Sequence, residues 1–168
     1  YLYGASSNQH RELMAPYLGY RCMTGDVDEV RHHWNNWSAQ RPHLPDWTIP
    51  TNVGVGAEAL RCLADKEASA ALAAEFAGYA GKYFVNGNAW FYGPFDTALG
   101  ILASTTGDLD AAVTHLTNAV ELCDRVESPT FGTIARLELA TVLRNRAAGS
   151  DNDLATTVSA DARRMATA

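Results

Sequence analysis

His32, His33 and His43, with Asp46 shortly after, are the residues of this chain whose types could hold a metal ion. Zinc needs three or four such ligands converging on one tetrahedron. Adjacent side chains on a helix diverge by about 100°, so at most one of His32 and His33 can face a shared centre. They read as surface or loop histidines, His10 and His115 as isolated ones, and neither a metal nor another cofactor is expected. Asp108, Asp110, Glu121 and Asp124 read as a mostly solvated acidic face, not as the paired carboxylates that glycoside hydrolysis uses. Serine and cysteine sit in no nucleophile elbow, and the chain has no Gly-x-x-x-x-Gly-Lys-Ser/Thr loop to cradle phosphates. Catalysis is not expected of these residues.

One stretch could bind rather than react. Between Gly81 and Pro94 the turn formers Asn86, Gly87, Asn88 and Gly93 are interspersed with Tyr83, Phe84, Val85, Trp90, Phe91 and Tyr92, which reads as an aromatic loop. Two readings stand. Trp90, Phe91 and Tyr92 plug a wide gap between helix pairs, or Asn86, Asn88, Trp90 and Tyr92 wall a pocket for an effector or peptide. Those last four are the candidate ligand- or partner-binding residues.

The elements that position this stretch are helices. Turn residues Gly25-Asp26, Asp65-Lys66, Gly107-Asp108 and Ser150-Asp151 recur at a spacing of roughly 40 residues, the mark of a helical repeat array. Val27, Val30, Trp34 and Trp37 lie on one helical face, and Trp34 and Trp37 are expected in the core. Val55, Ala59, Leu60, Cys62 and Leu63 form one further face, with Ala68, Leu72, Phe76 and Tyr79 on its partner. Leu109, Ala112, Val113, Leu116, Ala119, Val120 and Cys123 make an amphipathic stripe. Pro16 should kink the first helix, Pro42, Pro45 and Pro50 surround Trp47 in a loop, and the last helix is sparse in large apolar residues. The expected fold is all-α: a right-handed helical repeat array of about eight helices in four antiparallel hairpins, forming one domain over residues 1–168, with its concave face made by the first helix of each hairpin.

Leu99-Gly100, Gly107-Asp108, Ala112, Leu116 and Ala119 resemble the tetratricopeptide pattern, in which Gly and Ala allow close helix approach. A narrower similarity covers about Tyr79 to Arg146. It is carried by Tyr79-Ala80-Gly81-Lys82, Gly87 to Gly93-Pro94, Leu99-Gly100-Ile101-Leu102-Ala103, Gly107-Asp108 and His115-Leu116, and then by Ala119-Val120-Glu121-Leu122 and Ala135-Arg136-Leu137-Glu138-Leu139-Ala140. This resembles the C-terminal helical region of large, actinobacterial-type regulators that carry an ATPase domain with a LuxR-type DNA-binding or a cyclase domain elsewhere. Asn88-Ala89-Trp90-Phe91-Tyr92 departs from that family, which has a small residue or Cys before its Gly-Pro. The resemblance implies a non-catalytic sensor or interaction domain of a signalling or transcription regulator. It would bind an effector or partner segment on its concave face and modulate a linked ATPase. The alternative is a free-standing scaffold that binds a peptide or protein partner.

Composition is consistent with either. The net charge is −6, and phosphate contact needs a concentrated basic face, so no direct nucleic-acid partner is expected. Neither a membrane-spanning run nor a signal peptide is legible. Cys22, Cys62 and Cys123 are odd in number and sit on apolar faces, which reads as three reduced, buried thiols in a cytoplasmic protein. The start at Tyr1 is read as that of a fragment of a larger regulator. The two readings of the aromatic stretch separate on one variant. As a plug, Trp90→Ala costs ~3–5 kcal/mol and leaves binding unchanged; as a pocket wall, it weakens binding and leaves thermal melting nearly unchanged.

Overall fold

The computed structural model describes residue 22 and residues 24–40, 49–86 and 90–167. Seven helices lie among them: α1 (Val27–Gln40), α2 (Ile49–Leu63), α3 (Lys66–Phe76), α4 (Phe95–Thr106), α5 (Leu109–Arg125), α6 (Pro129–Arg146) and α7 (Asp151–Ala166). A single 3-10 turn, Ala77–Tyr79, and two short strands, β1 (Tyr83–Asn86) and β2 (Trp90–Pro94), stand between α3 and α4. The chain is mostly helical. Pro16, Pro42, Pro45 and Trp47 lie outside the described residues. Pro50 is not in a loop but in the first turn of α2, where its missing N–H costs nothing.

All four turns fall where the sequence placed them, and three share one chemistry. The residue before each aspartate is left-handed: Gly25 (φ 79°), Ala64 (φ 50°) and Gly107 (φ 95°). That reversal lets the N–H of Asp65 reach Leu60 O at 3.1 Å and that of Asp108 reach Ala103 O at 3.0 Å, satisfying carbonyls the ending helix leaves open. Each aspartate then caps the next helix. Oδ1 of Asp26 accepts from Glu29 N (3.3 Å), Asp65 from Ala68 N and Asp108 from Ala111 N (both 3.0 Å). Asp151 works differently. Its buried carboxylate takes Arg146 Nε and Nη2 at 2.8 and 2.7 Å and the Ala148 N–H at 2.9 Å, which locks the α6–α7 turn.

Glycine in the first helix of a pair sets how closely the second can approach. A Cβ on Gly100 would stand 2.5 Å from Leu116 Cγ, and one on Gly56 would stand 2.9 Å from Leu72 Cδ2. The small-residue reading of Leu99-Gly100 is therefore physical: Leu116 occupies the space a side chain would need. Each helix packs on the next, and α4 also contacts both α2 and α6. Trp34 and Trp37 are buried with Val30 against α2, as their spacing predicts.

Two sequence expectations need correction. The stretch from Gly81 to Pro94 is not a loop; its ends pair as an antiparallel hairpin, with Val85 opposite Phe91 and Asn86 opposite Trp90. Phe84 is buried and stacks on Phe95, ring centroids 3.7 Å apart, and Tyr79 also stacks on Phe95 at 4.8 Å. Phe91 and Tyr92 are each 38 % exposed, which departs from the plug reading, and the buried aromatic of the hairpin is Phe84. Second, the three thiols are not all free. Cys22 and Cys62 form a disulfide with Cα atoms 5.8 Å apart, and only Cys123 is a free, buried thiol. The bridged pair is 40 positions apart and ties residue 22, ahead of α1, to α2.

Gly100→Ala tests the close approach. An alanine in a mid-helix position normally gains stability by about 0.8–1 kcal/mol over glycine. Here it should lose about 1–3 kcal/mol through overpacking against Leu116, and the loss should vanish in a Leu116→Ala background. Urea unfolding of the single and double variants reads both.

Candidate functional site

α2, α4 and α6 share one face, and a cavity of about 270 Å³ opens on it. Arg61 of α2 and Ala64 of the turn that follows it form one wall; Ile101, Ser104 and Thr105 of α4 form the floor. Glu138, Thr141, Val142 and Asn145 of α6 form the opposite wall. These positions recur at three- and four-residue intervals within each helix, which places each set on one side of it. The face exists because α4 touches both neighbours.

A charged strap crosses this floor. Arg61 Nη1 donates to both Glu138 oxygens at 2.8 Å, joining residues 77 positions apart, and Nη2 bonds Glu58. The guanidinium thus faces two carboxylates, and the trio carries one surplus negative charge. Burial pushes the Glu58 carboxyl above its ordinary value, the nearby Glu138 charge adds to that, and Arg61 pulls it back in part. The Thr105 and Thr141 hydroxyls donate to Ile101 O and Leu137 O of their own helices at 2.8 and 2.9 Å. Ser104 and Asn145 are left to supply the cavity's hydrogen-bonding groups.

The residues singled out in the sequence are arranged otherwise. Asn86 and Trp90 face each other across the hairpin. Their side chains, and the whole of Asn88, lie outside the described residues. Tyr92 stands on β2, 38 % exposed, and does not line the cavity between α2, α4 and α6. His32 bonds Asn36 at 3.0 Å and His33 stands 3.5 Å from Glu29, so both rings engage their own helix. His43 and Asp46, like His10, lie outside the described residues. The acidic face proves to be cross-linked. Asp124 takes Arg136 Nη2 at 2.9 and 2.7 Å, Asp110 takes Arg146 Nη1 at 2.8 Å, and Asp108 caps α5.

His115 is not isolated. Its Nδ1 donates to Asp96 Oδ1 at 3.0 Å, and the Gly81 N–H donates to Asp96 Oδ2 at 2.6 Å. Asp96 is 0 % exposed. Burial opposes its charge, but the bonds from His115, Gly81 and Asn118 outweigh that and hold the carboxyl below its ordinary value of 3.8. This carboxylate ties α4 to α5 and to the approach of β1. It is a structural lock, and it brings no nucleophile with it among the described residues. Asp96 escaped the sequence reading because its partners lie 15 and 19 positions away, and Arg61 and Glu138 escaped it for the same kind of reason.

Neither a family model, nor a curated protein, nor a solved structure matches this chain.

Replacing the lock carboxylate has a signed pH dependence. A carboxylate held below its unfolded-chain value contributes stability that is complete above that value and is lost as pH falls through the folded one. Asp96→Asn should therefore cost about 2–4 kcal/mol at neutral pH, where a buried, hydrogen-bonded charge is removed. The gap between wild type and variant should narrow as pH falls below 3.8. Urea midpoints at neutral and acid pH measure it.

Proposed function

We propose that this chain is a non-catalytic, tetratricopeptide-like interaction domain that receives a partner segment on the face shared by α2, α4 and α6. The observation that carries the reading is the cavity between those three helices, floored by α4 and spanned by the Arg61–Glu138 pair. The contact pattern supports a curved array. First helices of successive pairs touch each other, α2 with α4 and α4 with α6, whereas the second helices α3, α5 and α7 chiefly touch their own pair and the first helix that follows. Crowding on one side and spreading on the other bends such a stack toward the crowded side, so the α2–α4–α6 face is the concave one. The resemblance over Tyr79 to Arg146 supports a place in a multidomain signalling or transcription regulator. There, a segment or effector bound on the concave face shifts the populations of two arrangements of a linked ATPase. The aromatic stretch with Asn86, Asn88, Trp90 and Tyr92 is a second contact region in this reading.

A photo-reactive residue at Asn145, which lines the cavity, should crosslink a protein segment, either from the same polypeptide's ATPase domain or from another chain. The same probe at Thr156, exposed on α7, should crosslink none. Equal labelling from both positions, or none from Asn145, removes this function.

A further inference from the structure

We propose that the cavity between α2, α4 and α6 is a subsite for one cationic side chain, lysine or arginine, of the partner segment, with Glu138 and Glu58 as its counter-charges. This rests on the reading of that face as the partner-binding surface and names the chemistry it selects. Arg61 and Glu138 are the charged residues lining the cavity, with Glu58 bonded to Arg61 from the same helix. One guanidinium against two carboxylates leaves the group one negative charge in surplus. An arriving cation neutralises that surplus, whereas an arriving carboxylate doubles it. The surplus therefore favours a cationic occupant over an anionic one.

The shape agrees with the charge. Ile101, Val142 and Ala64 offer an apolar lining to a methylene stem. The charged head then lies by Glu138, whose carboxylate has lone pairs beyond the two that Arg61 occupies. The Ser104 hydroxyl and the Asn145 side-chain carbonyl can accept the remaining protons. A volume of 270 Å³ lies below the ~300–1,000 Å³ usual for drug-sized ligands, and it suits one long side chain better than an effector molecule.

The test uses blocked pentapeptides Gly-Ala-X-Ala-Gly with X as lysine, norleucine or glutamate, titrated into the labelled protein while its amide resonances are followed. The lysine peptide should shift Ser104, Thr141 and Asn145 saturably, the norleucine peptide weakly and the glutamate peptide not at all. Glu58→Gln brings the trio to neutrality with little change of shape. It should weaken the lysine peptide by about tenfold, which is 1.4 kcal/mol, and leave the norleucine peptide unchanged. The lysine response should also fall with added salt, a readout that stands even if the variant fails to fold. No shift at these amides, equal shifts from the three peptides, or a preference for glutamate overturns the subsite. Crosslinking from Asn145 without a lysine preference overturns the subsite alone; loss of that crosslink overturns the concave-face function beneath it.

Discussion

The rest of the structure depends on the burial of α4. Phe95, Asp96, Ala98, Leu99, Gly100, Ile101 and Leu102 are all buried, so almost the whole circumference of this helix is covered, as in the centre of a helical assembly. It touches α2, α3, α5, α6, β2 and the 3-10 turn. The approach of α5 is set at Gly100 by Leu116, that of the hairpin at Phe95 by Phe84, and that of α2 and α6 by the face that carries the cavity. Its one buried charge, Asp96, lies in its first turn and bonds outward to Gly81 and His115. The floor of the candidate site is thus carried by a helix packed on nearly every side.

Much of the packing around α4 is made of small residues. Ala57 and Ala59 of α2, Ala112 and Ala119 of α5, and Ala135 and Ala140 of α6 are buried on the helices that touch it. Such surfaces let backbones approach but offer few projecting side chains to fix register, because apolar burial has no direction of its own. The cross-helix charges supply it. Arg61 reaches Glu138, Arg136 reaches Asp124, and Arg146 joins Asp151 and Asp110. Exposed pairs contribute about 0–1 kcal/mol each, far less than the core. Their effect is on alignment, since charge-assisted bonds are directional, most of all where Arg146 donates through two nitrogens to the Asp151 carboxylate.

What was legible in the sequence was whatever repeats or caps locally. Each Gly-Asp or Ala-Asp turn acts within a few residues, so the three capped turns and the apolar stripes of α1 and α5 could be read directly. The strands could not, because a four-residue strand rich in aromatics looks like a loop until its partner beyond Asn86 is in place. The disulfide was hidden by composition. An odd cysteine count suggested free thiols, yet Cys22 and Cys62, 40 positions apart, are bonded to each other. Arg61, Glu138 and Asp96 lacked any local signal. Glu58-x-x-Arg61 reads as an ordinary same-helix pair, and nothing near it shows that Arg61 also reaches across α4.

That crossing has a consequence for how the face can respond to an occupant. Arg61 and Glu138 belong to helices separated by α4, so their bond measures the distance between the two walls of the cavity. If the walls spread, the strap is broken; if they close, the carboxylates of Glu58 and Glu138 are driven together around one guanidinium, and their repulsion grows. The strap therefore favours one width of the face. Its partners are partly exposed, Arg61 by 44 % and Glu138 by 20 %, so water can take over their hydrogen bonds when they part, and the cost of opening stays near that of a surface ion pair. A site held by apolar contact alone would have to expose that contact to widen. This one has only to part an ion pair that water already reaches.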